Sequence, residues 1–168
     1  MKIKIFRIVS IILLVACMSV IFYLSSQTAE QSSEVSGEFT YKVFSLLYPH
    51  FNEMSPDAQQ QAIDNAMFYV RKTAHMSIYF VLGIFAYMTF VSYNTVKYFL
   101  RVLISFAVCF IYACTDEIHQ IFVDGRSGEI RDVLIDSIGA LASIIIIALI
   151  VRLIPKLYNL VKGEKELE

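Results

Sequence analysis

The chain has 168 residues, 57% of them hydrophobic, with a mean hydropathy of +0.62 and a formal net charge of −1. Soluble domains are about 45–50% apolar, so the excess argues for a membrane protein. The near-zero charge argues against a nucleic-acid partner.

The first apolar block is Ile8–Leu24. A spanning helix needs roughly 20 apolar residues, within a range of about 17–25, so this block crosses a bilayer alone. Ser10 and Ser19 interrupt it but can bond within a helix. The basic start, Lys2, Lys4 and Arg7, also suits a cleaved signal peptide, and Leu14-Val-Ala-Cys17 resembles a lipoprotein cleavage box. The apolar run continues through Met18–Leu24, so cleavage at Cys17 would leave an apolar stub. An uncleaved first span is the expectation. Cys17, Cys109 and Cys114 all lie in apolar runs without metal-motif spacing and read as small core residues.

Gln27–Val70 follows as a long loop with helical periodicity. Val35, Phe39, Val43, Phe44, Leu46 and Leu47 fall near one helical face. Ser55-Pro56-Asp57 is a helix start, with serine as cap and proline at the first position. Ala62, Ile63, Ala66, Met67 and Val70 repeat at helical spacing after it. Both segments suit helices lying in the membrane interface, or a lid over the bundle.

Ser77–Val91, Leu100–Ala113 and Val133–Leu153 complete the apolar blocks. With polar ends included, spans are expected at about 6–26, 71–93, 98–120 and 132–154. The fold class is then all-α: one domain over 1–168, an integral membrane four-helix bundle, with one or two interfacial amphipathic helices in its outer loop. Gly83 and Gly139-Ala-Leu-Ala-Ser143 read as close-packing positions between helices.

Lysine and arginine mark cytoplasmic loops. Lys2, Lys4, Arg7, Lys97, Arg101, Arg152, Lys156, Lys162 and Lys165 all fall on one side of four spans. Both termini are therefore expected in the cytoplasm and Gln27–Val70 outside. Arg71, Lys72, Arg126 and Arg131 fall on the disfavoured side. They need a local reason, either anion binding or carboxylate pairing.

That outer end gathers the polar residues of every span. Ser25, Ser26 and Gln27 end the first; Arg71, Lys72 and His75 open the second. Asp116, Glu117, His119 and Gln120 close the third; Asp132 and Asp136 open the fourth. Residues four apart share a helical face, which pairs Arg71 with His75, Asp116 with Gln120, and Asp132 with Asp136. Charges inside a membrane cost several kcal/mol unless paired, wetted or functional, so Arg71 or Lys72 should reach Asp132 or Asp136. Glu129 reads as a solvated loop charge.

Three chemistries suit the cluster. Arginine forks at 71 and 126 match phosphate or carboxylate, and the Asp124–Gly128 loop could offer backbone N–H groups to an oxyanion. A histidine beside a carboxylate could act as general base, with arginine stabilising charge. A metal site among His75, Asp116, Glu117, His119 and Asp136 is disfavoured, because no His-x-x-x-His or cysteine pair is present.

Phe22-Tyr-Leu-Ser-Ser-Gln27, Arg71-Lys-Thr-Ala-His75 with Tyr79 and Leu82-Gly83, and Asp116-Glu-Ile-His-Gln-Ile-Phe122 recur in one family. So do Gly125-Arg-Ser-Gly128 and Arg131-Asp-Val-Leu-Ile-Asp136 with Gly139. In their order and spacing, over about 22–143, the chain resembles the VanZ-like family of small bacterial membrane proteins. The resemblance implies several helical spans in a bacterial cell membrane but no established reaction. The family's founding member is associated with low-level resistance to teicoplanin-type glycopeptides, and most members are not tied to resistance.

The expected function is an envelope membrane protein that binds or handles an anionic amphiphile in an outer-leaflet polar pocket. Its partners would be membrane lipids or a lipid-linked cell-wall precursor; no cofactor is named. The alternatives are an intramembrane enzyme acting on a lipid phosphate or acyl group, and a proton-coupled lipid transporter. The residues expected to do chemistry are His75, Asp116, Glu117, His119 and Asp136. Those expected to bind ligand are Arg71, Lys72, Gln120, Arg126 and Asp132.

Overall fold

The computed structural model describes residues 2–93 and 95–154. Lys156, Lys162 and Lys165, used above for orientation, lie outside them. Among the described residues five helices follow one another: α1 (Lys2–Ser25), α2 (Ala29–Leu47), α3 (Pro56–Val91), α4 (Tyr98–Gln120) and α5 (Ile130–Leu153). A single 3-10 turn, Phe51–Glu53, joins α2 to α3. No strand occurs among the described residues. α1, α3, α4 and α5 are long and apolar enough to cross a membrane. The protein is an all-α, multi-pass membrane bundle.

α3 departs from expectation in one respect. The Ser55 hydroxyl accepts the Ala58 N–H at 3.4 Å, and Pro56 opens the helix as the sequence predicts. The amphipathic segment and the span expected from residue 71 are then one unbroken helix of 36 residues. Nothing between Asp57 and Leu82 is glycine or proline, so nothing breaks it. At 1.5 Å per residue it is about 54 Å long, against a hydrocarbon core of about 30 Å. Its first turns therefore project beyond the bundle.

α2 packs against that projection. Thr28 and Gln31 close a capping box at its start. Thr40 is buried on it, and Gly37 faces Met67. Phe39, Leu46 and Leu47 are exposed, so that part of the face marked apolar by periodicity points away from α3, while Val43 and Phe44 are half-buried.

The contacts show how the spans run. Lys72 meets Asp132, His75 meets Asp136, Gly139 abuts Met76 and Gly83 abuts Ala140 and Ser143. The partners advance together along both helices, so α3 and α5 are parallel. A Cβ on Gly83 would stand 2.6 Å from the Ala140 carbonyl oxygen, so only glycine permits this approach. α1 and α4 are parallel by the same reasoning: Tyr112 donates to the Met18 carbonyl and Ser25 to Asp116. α1 runs antiparallel to α3, with Cys17 beside Ile78 and Arg7 beside Ser92. Tyr79, Leu82, Ala86, Tyr87, Cys109, Ala113, Ala140 and Ile144 fill the core. Cys17 and Cys109 are buried, as small core residues should be, while Cys114 is half-buried.

Candidate functional site

The close approach of α3 and α5 sets two contacts at the Ser25 end of the bundle. The Lys72 ammonium is ion-paired with Asp132 and lies 3.8 Å from Glu129. The expected pairing of a cation opening the second span with a carboxylate opening the fourth is present. One turn deeper, His75 Nδ1 faces Asp136 Oδ2 at 4.0 Å. Asp136 is fully buried, and neither of its carboxylate oxygens has a hydrogen-bond partner among the described residues.

α1 and α4 supply the second half. Ser25 Oγ donates to Asp116 Oδ2 at 2.9 Å. The Gln120 amide donates to Asp116 at 3.3 Å and to Glu117 at 3.2 Å. Glu117 also accepts the Glu129 backbone N–H at 2.9 Å, which ties the end of α4 to the start of α5. His119 stands apart, stacked on Phe22 and 3.1 Å from Ser26 Oγ.

The loop between α4 and α5 folds back over this layer. Gly125 turns it with φ +73°, which favours glycine. The Asp124 carbonyl receives the Ala29 N–H, and the Arg126 N–H is taken up by Val123. The Arg126 guanidinium donates to Gln120 Oε1 at 3.2 Å and to the Leu24 carbonyl at 3.3 Å. Its Nε is buried without a partner. Burial, and then the neighbouring Arg71 charge, pull the Arg126 pKa below its ordinary value.

Between α1, α2 and α3 lies a cleft of about 160 Å³. Ile21, Leu24, Val35, Ala74 and Ile78 form apolar walls. Ser25, Gln27, Ser32, Ser36, Arg71, His75 and Arg126 supply its polar atoms. No carboxylate lines it. Asp116 sits behind Ser25, and Asp136 behind His75. A half-buried, carboxylate-free surface carrying two guanidinium groups and an imidazole favours an anion. Beside the apolar walls, it favours an anion with an apolar body.

The sequence model of the VanZ/LLP1 family matches residues 10–152. The chain belongs to that family. No curated protein and no solved structure matches it. The matched span reaches into all four apolar helices and takes in every residue of the cluster.

Within this VanZ/LLP1 bundle the expected site residues divide. Arg71, His75 and Arg126 line the cleft. Asp116, Gln120 and Asp136 stand directly behind lining residues. Lys72 and Asp132 pair with each other, Glu117 caps the start of α5, and His119 packs on α1. Among the described residues, no three His, Cys, Asp or Glu side chains stand close enough to share a metal ion.

Two readings gain detail. Glu129 is exposed, as a solvated loop charge is, but its carboxylate lies 3.8 Å from Lys72 and its backbone N–H donates to Glu117. The Asp124–Gly128 loop spends the Arg126 N–H internally, so the guanidinium rather than that N–H faces the cleft.

Two residues carried more than the sequence reading gave them. Ser25 orients Asp116, a role foreshadowed only by a hydroxyl at the end of an apolar run. Tyr79 is fully buried, and its hydroxyl has no partner among the described residues. It lies four residues after His75, on the same face, and that spacing could have marked it.

Proposed function

We propose that this VanZ/LLP1 protein binds or handles an anionic amphiphile at the outer leaflet of a bacterial cell membrane, with both termini cytoplasmic. The single observation that carries the reading is the cleft: Arg71, His75 and Arg126 open beside Ile21, Leu24 and Ile78, with no carboxylate between them. The arginines grip the head, Asp116 and Asp136 orient the lining layer from behind, and the apolar wall takes the chain. The orientation rests on the lysines and arginines gathered at the other end. Membrane lipids and lipid-linked cell-wall precursors both have the required chemistry. Tolerance to teicoplanin-type glycopeptides, which carry an acyl tail and act at the outer face, is the cellular role this reading favours.

The test is teicoplanin susceptibility in a deletion strain carrying each variant at equal protein level. Arg126→Lys keeps the charge but loses the fork, and is expected to behave as the deletion does. Full activity of Arg126→Lys, His75→Gln and Asp136→Asn together would sink the reading. Orientation is tested separately, by impermeant labelling of intact cells expressing Ser36→Cys or Thr95→Cys in a background without native cysteines. Labelling at position 95 but not 36 would reverse it.

The His75–Asp136 contact favours a second reading, an intramembrane enzyme acting on a lipid phosphate or acyl group, or a proton-coupled lipid transporter. With Nδ1 turned to Asp136, the imidazole presents Nε2 to the cleft it lines, the arrangement a general base or proton carrier needs. Release of phosphate or fatty acid by the purified protein, abolished in His75→Gln, would favour the enzyme. Lipid movement that follows an imposed pH gradient would favour the transporter.

A further inference from the structure

Arg71 differs from the other cations around it. Lys72 is ion-paired, Arg126 donates to Gln120 and Leu24, and Arg131 lies over the Phe68 ring at 5.1 Å. At the opposite end, Arg7 and Arg101 donate to backbone carbonyls. Arg71 makes no hydrogen bond or ion pair among the described residues, yet it is half-buried and lines the cleft. Arg126 approaches from a different element and keeps a buried, unpartnered Nε. The two guanidinium groups repel each other across the cleft, with no carboxylate between them. An anion placed there relieves that repulsion.

The shape of the donor set narrows the anion. A planar carboxylate is satisfied by one fork in its own plane. Here Arg71 and His75 come from α3 and Arg126 from the loop before α5, so donors arrive from more than one direction. That suits a tetrahedral group with oxygens on several sides. Charge narrows it further. Two guanidinium groups with no carboxylate between them match a terminal phosphate, which carries about −1.5 to −2 charge at pH 7, better than a phosphodiester with its single charge.

We propose that the cleft takes the terminal phosphate of a lipid phosphomonoester, with the alkyl chain leaving along Leu24, Ala74 and Ile78. The phosphate lies between the Arg71 and Arg126 guanidinium groups and accepts from His75. This rests on the reading of the cleft as an anionic-amphiphile site, and specifies its head group.

The test is binding to the full-length protein in a neutral maltoside detergent. The probes are dodecyl phosphate, dodecanoate, dodecylphosphocholine and inorganic phosphate. Dodecyl phosphate is expected to bind most tightly. Arg71→Gln should weaken it by roughly 10- to 100-fold, the loss of one charge-assisted contact. Arg71→Lys should recover only part of that, because the fork is missing. Circular dichroism and elution volume of both variants establish that the bundle has formed. Dodecanoate binding as tightly as dodecyl phosphate would overturn the phosphate assignment and leave the amphiphile reading standing. Equal binding of dodecylphosphocholine would overturn the bare terminal phosphate. Inorganic phosphate binding as tightly as dodecyl phosphate would make free phosphate the ligand and remove the lipid. If no probe binds, both the phosphate proposal and the amphiphile reading fail. If Arg71→Gln binds dodecyl phosphate like the unmodified protein, the phosphate lies elsewhere.

Discussion

Both ends of this bundle carry partly buried arginine, but they use it differently. At the turn between α3 and α4, Arg101 donates to the Val96 and Tyr93 carbonyls at 2.8 and 3.2 Å. Arg7 donates to Ser92 and lies over the Tyr93 ring at 3.9 Å. These guanidinium groups stitch a turn shut. At the Ser25 end, Arg71 has no protein partner among the described residues, Arg126 is only partly satisfied, and Asp116 and Asp136 keep unbonded oxygens. An unmade hydrogen bond on a buried group costs about 1–3 kcal/mol. The first end is built for stability. The second holds polar groups in reserve, which supports the proposal that it is the working end.

Substitutions test the contrast, and the largest effect is expected at the saturated end. Arg101→Met removes two bonds from a charged donor to carbonyls, each worth about 1.5–3 kcal/mol. It should cost about 3 kcal/mol in a detergent unfolding measurement. A cost below that of any change at the Ser25 end would break the comparison. Lys72→Met should cost less, about 2 kcal/mol, because Asp132 keeps some access to solvent. Adding Asp132→Leu should return most of it, since removing both charges leaves none unpaired. A double variant no better than Lys72→Met would mean the pair is not the source of the loss.

Arg71→Gln sharpens the contrast from the other side. It removes a cation with no protein partner that repels Arg126, so stability should stay within about 0.5 kcal/mol or rise. Ligand binding or the cellular phenotype should fall at the same time. A loss of stability comparable to that of Arg101→Met would show that Arg71 is structural. The smallest effect is expected at Glu34, exposed on α2. Glu34→Gln should leave both melting and phenotype unchanged. A measurable change in either would mean that the outer face of α2 is in use.

Much of this was legible in the sequence because two strong rules applied. Hydropathy located four spans, since a bilayer forces about 20 apolar residues into each. The lysine and arginine pattern then sorted the remaining polar residues to one end, and charge cost alone required Arg71 or Lys72 to meet Asp132 or Asp136, without saying which. What stayed hidden depends on how segments meet. Periodicity marked α2 as amphipathic, but small residues won the helix contact: Gly37 and Thr40 face α3, and Phe39 points away. Arg101 reads as an ordinary loop cation until the turn folds over it. Nothing local placed Glu129 beside Lys72, because that proximity comes from the parallel packing of α3 and α5. The division between Arg71, which lines the cleft, and Asp136, which stands behind His75, is likewise a matter of depth rather than composition.

The parallel pairing of α3 with α5 also sets an order of assembly. The ribosome delivers helices from the N-terminus onward, and Asp132 and Asp136 sit on α5, the fourth of the described spans to arrive. Until then Lys72 has no counter-ion, His75 has no carboxylate behind it, and the Gly83 groove lies bare. A nascent chain that has inserted only α1, α3 and α4 therefore carries an uncompensated ammonium at the membrane, a costly state. Arrival of the fourth span neutralises it and fills the groove in one event. Synthesis of α5 and closure of the bundle are thus coupled, and a chain truncated before Ile130 carries an electrostatic mark that quality-control proteases could read.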